Sequence, residues 1–227
     1  MAQEIIRHPS GIRQEIVDKV VTRRGRLHAF ASIEPAKTAL VVIDLDLGTG
    51  RDEGRQVAAM SRAVNAMAGA LRKHGGTVAW VTTPMEHATE NFRAVFGDEL
   101  TERYEADGRS GKSATLWPEL ETKDTDLFTA KRGHSAFFPG KSDLHEQLQV
   151  RGVTTLLVSG AVTNVCCEAS ARDAAELQYK VTMVSDALIG HSYGLHEATL
   201  TTFFRCYGDV RPSGQLLSLL GETEARR

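Results

Sequence analysis

The chain has 227 residues, 41% of them hydrophobic and 25% charged, which is the composition of a soluble globular protein and enough for one three-layer domain. Its formal net charge of -2, with acids and bases interleaved, excludes a basic face for nucleic acid and a polybasic patch for membranes, leaving small molecules or further copies of the chain as partners. Three cysteines, two of them adjacent, cannot form a disulfide framework, and with no apolar stretch of membrane-spanning length and no apolar centre in Met1 to Ser10, a cytoplasmic protein is expected.

Residues 1–38 are polar, show no clean period and are densest in charge at Arg23-Arg24-Gly25-Arg26. They read as an N-terminal arm, either solvated or held against another copy. Residues 39–227 read as one domain. Ala39-Leu40-Val41-Val42-Ile43 is continuously apolar, as a parallel strand buried on both faces requires, and it runs into Asp44 and then Asp46. Gly48-Thr49-Gly50 makes a loop before a helix over 53–73, which Gly75-Gly76 closes. The next strand, 77–82, stops before Pro84. Residues 85–121 read as a long polar connection with one short helix near 91–96, and connections of that length are commonly functional. A third strand is predicted over 126–130, running into Lys131, and a helix over 143–150 with Ser142 able to cap it.

The β-branched run 154–158, bounded by Gly152 and Gly160, predicts a buried strand that turns at Gly160. A helix is predicted over 166–178, which puts Cys166 at a helix N-terminus, where free N–H groups and the dipole lower a thiol's pKa. On position alone Cys166 reads first as a small buried hydrophobe, as most free cysteines are. A strand over 180–184, a loop over 186–193, a helix over 196–207, an edge strand over 208–211 and a helix over 213–220 complete the chain. Strands alternating with helices predict an α/β fold with a mostly parallel sheet covered on both faces. Function is expected at the strands' carboxyl ends. Asp44, Lys131 and Cys166 all stand there. Together a carboxylate, an ammonium and a thiol form an activated nucleophile; singly, Asp44 also reads as a helix cap and Lys131 as the partner of a surface acid.

Three stretches, taken in order, carry a family likeness. Val41-Val42-Ile43-Asp44, Lys131-Arg132-Gly133-His134-Ser135-Ala136-Phe137-Phe138 and Gly160-Ala161-Val162-Thr163-Asn164-Val165-Cys166 together resemble the signatures of the isochorismatase-like cysteine hydrolases, over residues 39–220. The resemblance implies a three-layer α/β/α fold with a six-stranded parallel sheet and an Asp44, Lys131 and Cys166 triad. It implies a cis peptide between Ala161 and Val162, and an oxyanion hole from the N–H groups of Val162 and Cys166. The chemistry implied is cleavage of a small amide, ureido or carbamoyl bond through a thioester, releasing ammonia or an amine, by a homodimer or homotetramer.

Two departures from the family pattern stand out. Where the family commonly runs Asp-Met-Gln-Asn-Asp-Phe, this chain has Asp44-Leu45-Asp46-Leu47-Gly48-Thr49, so a second carboxylate replaces a glutamine and an aromatic is missing. Strand alternation would aim Asp44 and Asp46 to one side and make Asp44 easier to protonate. The metal-binding nicotinamidases carry an Asp and His cluster after the second strand; Thr83-Pro84-Met85-Glu86-His87 lacks it, so no metal and no cofactor is expected. Candidate substrate contacts are His134, Phe137, Thr163, Asn164, His191 and Tyr193. Arg172 and Arg205 are the available carboxylate-binding arginines. Two stretches mimic other chemistry. Ala106 to Ser113 has the loose form of a phosphate loop without a strand before it. Gly48, Gly50 and Gly54 mimic a dinucleotide fingerprint, which makes an NAD(P)-dependent oxidoreductase the alternative, although Asp44 and Asp46 would face its pyrophosphate. A catalytically idle binding protein on the same fold is the third reading.

Overall fold

The computed structural model describes residues 12–48 and 50–225; what the sequence suggests for Met1 to Ser10 and for Thr49 lies outside them. A first helix, α1 (Gln14–Arg24), ends at Gly25 in the left-handed conformation, the region a glycine occupies without a Cβ penalty. Residues 12–24 lack an obvious period because only a thin stripe, with Val20 buried and Ile12 and Val17 beside it, meets the core. Then follow β1 (Thr38–Ile43), α2 (Gly50–Lys73), β2 (Thr77–Thr82), α3 (Glu90–Phe96), α4 (Asp98–Arg109) and β3 (Leu127–Ala130). The second half runs α5 (Leu144–Val150), β4 (Thr155–Ala161), α6 (Glu168–Glu176), β5 (Lys180–Ile189), α7 (Tyr193–Cys206), β6 (Asp209–Arg211) and α8 (Ser213–Ala225).

The six strands lie in the order β3-β2-β1-β4-β5-β6, and every pair is parallel. Side chains alternate across the sheet. From β1, Leu40 and Val42 face one core, while Ala39, Val41 and Ile43 face the other. On the first face, Val57, Met60, Val64, Met67, Ala68 and Leu71 recur at the helical period along α2 and pack beside Leu216 and Leu220 of α8. The second face is covered by α5, α6 and α7 through Leu144, Leu148, Ala171, Ala174, Leu200, Phe203 and Phe204, with Val20 of α1 at its margin. The expected three-layer α/β/α architecture is therefore present.

Four local expectations are corrected. The connection 85–121 contains two helices rather than one; α4 is polar and carries Gly108, where an added Cβ would meet the Met85 carbonyl oxygen at 2.1 Å. The chain does not turn at Gly160. Instead β4 continues to Ala161, and Gly160 takes φ +125° with an added Cβ only 2.0 Å from the Ile43 carbonyl oxygen. Glycine is needed there because β4 passes close against β1. Residues 186–189, expected in a loop, extend β5 to Ile189, whose pairing with Ala161 of β4 holds them. Finally, Gly50 and Gly54 lie inside α2 and not in a phosphate-cradling loop, which removes the geometry the dinucleotide alternative needs.

Candidate active site

Each of four neighbouring strands hands one polar side chain to the same edge of the sheet. Asp44 leaves β1 with its N–H bonded to the Val81 carbonyl of β2 (2.8 Å), and Lys131 leaves β3 with its N–H bonded to the Thr82 carbonyl (2.9 Å). Thr83 follows β2 between them, and Cys166 comes from a five-residue π-helical turn, Thr163–Cys167, between β4 and α6. The Lys131 Nζ lies 2.8 Å from Asp44 Oδ2. It donates to Thr83 Oγ1 at 2.5 Å, to the Gly133 carbonyl at 3.1 Å and to Cys166 Sγ at 3.4 Å. Thr83 in turn donates to Asp44 Oδ1 at 2.7 Å. The three residues picked from the sequence thus converge, and a fourth, Thr83, joins them. Thr83 carried a legible signal: a hydroxyl one residue past a strand that lies between those ending in Asp44 and Lys131.

Asp44 does not continue the pleat. With φ +51° it stands in the left-handed region, which is uncommon for a residue other than glycine. The alternation that would aim Asp44 and Asp46 to one side therefore breaks at Asp44. Asp46 instead bridges the antiparallel partner Leu116, flanked by backbone bonds from Leu47 to Thr115 and from Trp117 to Leu45.

The charges set the protonation state. Burial pushes the Cys166 thiol up to about 12, with Asp44 adding to this and Lys131 opposing it. The expected lowering is corrected: Cys166 sits in the π turn ahead of α6, not at that helix's first N–H groups, and burial outweighs the neighbouring ammonium. At Lys131 burial pulls down, but Asp44 and Cys166 more than offset it, so the ammonium is held above the usual lysine range. The resting group is a neutral thiol between a carboxylate and an ammonium. The Ala161 to Val162 peptide just before the turn is cis.

Comparison with known proteins adds the lineage. Residues 38–215 match the isochorismatase domain model. The chain belongs to the isochorismatase family. It is 31% identical over 191 residues to an uncharacterized isochorismatase family protein of Bacillus subtilis, covering 82% of this chain and 95% of the relative. A ureidoacrylate amidohydrolase of Variovorax paradoxus is 36% identical over 89 residues, which is 39% of this chain and 34% of that enzyme. Among solved structures, a cysteine hydrolase of Pseudomonas syringae superposes with a TM-score of 0.76 at 22% identity, covering 87% of this chain and 98% of the other.

Around this isochorismatase-family site the other candidate contacts divide. His134 keeps an exposed face beside the ion pair; partial desolvation and Lys131 lower its pKa, with Asp44 opposing. Asn164 does not cap a helix, and its Oδ1 is buried with no hydrogen-bond partner among the described residues. Thr163 is buried and bonded to His196 Nδ1 at 2.9 Å, so its hydroxyl braces the turn from beneath. His191 and Tyr193 are exposed just past β5, at the same end of the sheet. Phe137 is corrected to core: it is buried against Tyr179, with ring centroids 5.8 Å apart. Arg172 is committed to Glu168 (2.5 Å) and the Tyr207 hydroxyl (2.7 Å). Trp80 is core, its Nε1 held by Asp126. Ala106 to Ser113 spans the end of α4 and a 3-10 turn, with no strand leading into it. No group of three or more His, Cys, Asp or Glu among the described residues is arranged to hold a metal ion, and no described helix is long and apolar enough to cross a membrane.

Proposed function

We propose that this isochorismatase-family hydrolase cleaves the C–N bond of a small amide, ureido or carbamoyl compound with Cys166 as nucleophile. Asp44 takes the thiol proton as Sγ attacks the carbonyl carbon, and Lys131 stabilises the developing thiolate and holds the carboxylate in place. The N–H groups of Val162 and Cys166 bind the oxyanion. Asp44 then gives the proton to the leaving nitrogen, which departs as ammonia or an amine. Water, deprotonated by Asp44, hydrolyses the thioester, and the proton returns to Sγ. Thr83 orients Asp44 throughout. His134 and Asn164 are the nearest candidates for substrate contact, with His191 and Tyr193 at the rim. Assembly as a homodimer or homotetramer belongs to the same proposal, with sedimentation as its check.

The observation that carries this reading is the Lys131 Nζ standing within 2.8 Å of Asp44 and 3.4 Å of Cys166 Sγ. A thiol kept neutral at rest and next to its own acceptor is suited to attack coupled to proton transfer. The partial match to a ureidoacrylate amidohydrolase supports the ureido class, and the structural likeness to a cysteine hydrolase supports the nucleophile. A screen for ammonia release over amides, ureides and lactams tests it, with Cys166→Ala as control. At least one compound should be turned over by the native chain and none by the variant. Release unaffected by the variant, or no release from any class, refutes it.

A further inference from the structure

The helix α3 stands apart from both cores. None of its residues is buried, yet three of its seven, Phe92, Val95 and Phe96, are large and apolar. Phe92 and Phe96, one turn apart, stack with ring centroids 4.3 Å from each other, and Tyr104 of α4 meets Phe92 edge-on at 5.8 Å. Phe96 is 37% exposed and Val95 70%. Val95 and Phe96 are thus apolar surface that neither core covers. The series of rings also leads inward. The Phe96 centroid lies 6.3 Å from that of His134, and His134 directly follows Gly133, whose carbonyl accepts from Lys131 Nζ. The imidazole responds to the charges of both Lys131 and Asp44. Aromatic side chains therefore lead from the outside of α3 to His134, whose imidazole is near enough to Lys131 and Asp44 to feel both charges.

We propose that Phe96, backed by Phe92, forms with His134 the flank of the site that selects the substrate, and that the substrate carries an aromatic ring close to the bond that is cut. This rests on Cys166 being the reacting atom, as proposed above. A ring placed against Phe96 and His134 gains edge or offset contacts with both. A small aliphatic amide gains neither. A second copy of the chain is the competing occupant of these rings. Their lead through His134 towards the ion pair favours the substrate.

The test reads Cys166 directly and needs no turnover. Iodoacetamide and N-phenyl-iodoacetamide each alkylate a thiol with loss of iodide, and the exposed Cys206 of the same chain corrects for their different intrinsic reactivity. Peptide mass spectrometry should show the phenyl reagent favoured at Cys166, relative to Cys206, by roughly two- to tenfold, the range of an aromatic pair. Phe96→Ala should abolish that preference while leaving iodoacetamide labelling of Cys166 unchanged, and Phe96→Tyr should retain it. Because no residue of α3 is fully buried and the helix lies outside both cores, these variants are expected to fold, and circular dichroism checks it. Equal labelling by both reagents overturns the aromatic flank and leaves the nucleophile standing. The labelling is run in alkaline buffer, where the raised thiol begins to ionise, and a Cys166 that neither reagent labels there removes both. Unchanged preference in Phe96→Ala, together with a changed sedimentation coefficient, assigns the rings to a second copy and overturns the proposal.

Discussion

Asp44 acts on Cys166 in two opposed ways. It raises the thiol's pKa, holding the proton on sulfur at rest, and in the proposed mechanism it is also the acceptor that would take that proton when a carbonyl arrives. Asp44→Asn separates the two effects. Turnover should fall by about 10²–10⁴, the usual contribution of a general base. The pH at which Cys166 alkylates should move down, because a raising charge is gone and Lys131 remains. A variant that is both inactive and labelled faster in mildly alkaline buffer is the expected result; unchanged labelling would count against the electrostatic account. Thr83 is argued at the same scale. Thr83→Val removes the hydroxyl that joins Lys131 to Asp44, and hydrogen bonds to charged groups contribute about 1.5–3 kcal/mol. A fall in kcat of roughly 10- to 100-fold with KM little changed is expected from that range, and Thr83→Ser should recover most of it.

At the scale of elements, Gly160 decides how near β4 comes to β1 where Asp44 leaves it. Gly160→Ala puts a Cβ 2.0 Å from the Ile43 carbonyl oxygen at a φ of +125°, so the two strands must part. Overpacking of this kind costs about 1–3 kcal/mol, read as a lower midpoint in urea, with activity falling further than stability because the Cys166 turn is carried on the displaced strand. The strands were legible in sequence because those of a doubly covered sheet are continuous apolar runs, and helices of the second half because Ser142 offers a cap and 166–178 holds no Pro or Gly. Three features were not. The arm's helix α1 buries too thin a stripe to show a period. Helix α4 has almost no apolar face and reads as loop. Gly160 looks like a turn because the need for a missing Cβ arises from β1, a hundred residues earlier, and sequence-local reasoning sees only the glycine.

For the whole molecule, the site's charges leave a mark on stability. The folded pKa values of Cys166 and Lys131 both lie above their ordinary values of 9.0 and 10.5. Each contribution is fully present below those values and is lost as pH rises, since the unfolded chain gives up its protons first. Thermal stability should therefore decline from about pH 9 upward, and Cys166→Ser, which removes one of the two titrating groups, should lessen that decline when each protein is referred to its own stability at pH 7. A variant that declines as steeply as the native chain would contradict the assigned shift. The triad could be picked from the sequence because a parallel sheet gathers its strand ends at one edge. The thiol's protonation state could not, because it depends on burial that only the packed molecule provides.

The central claim is that Cys166 carries the acyl group between two half-reactions, and acid-quenched mass spectrometry of a turning-over mixture tests it most directly. The account predicts the acyl mass on the peptide containing Cys166, lost on treatment with hydroxylamine and absent from Cys166→Ala. Turnover by Cys166→Ala at the native rate, with no adduct on any cysteine, would contradict it.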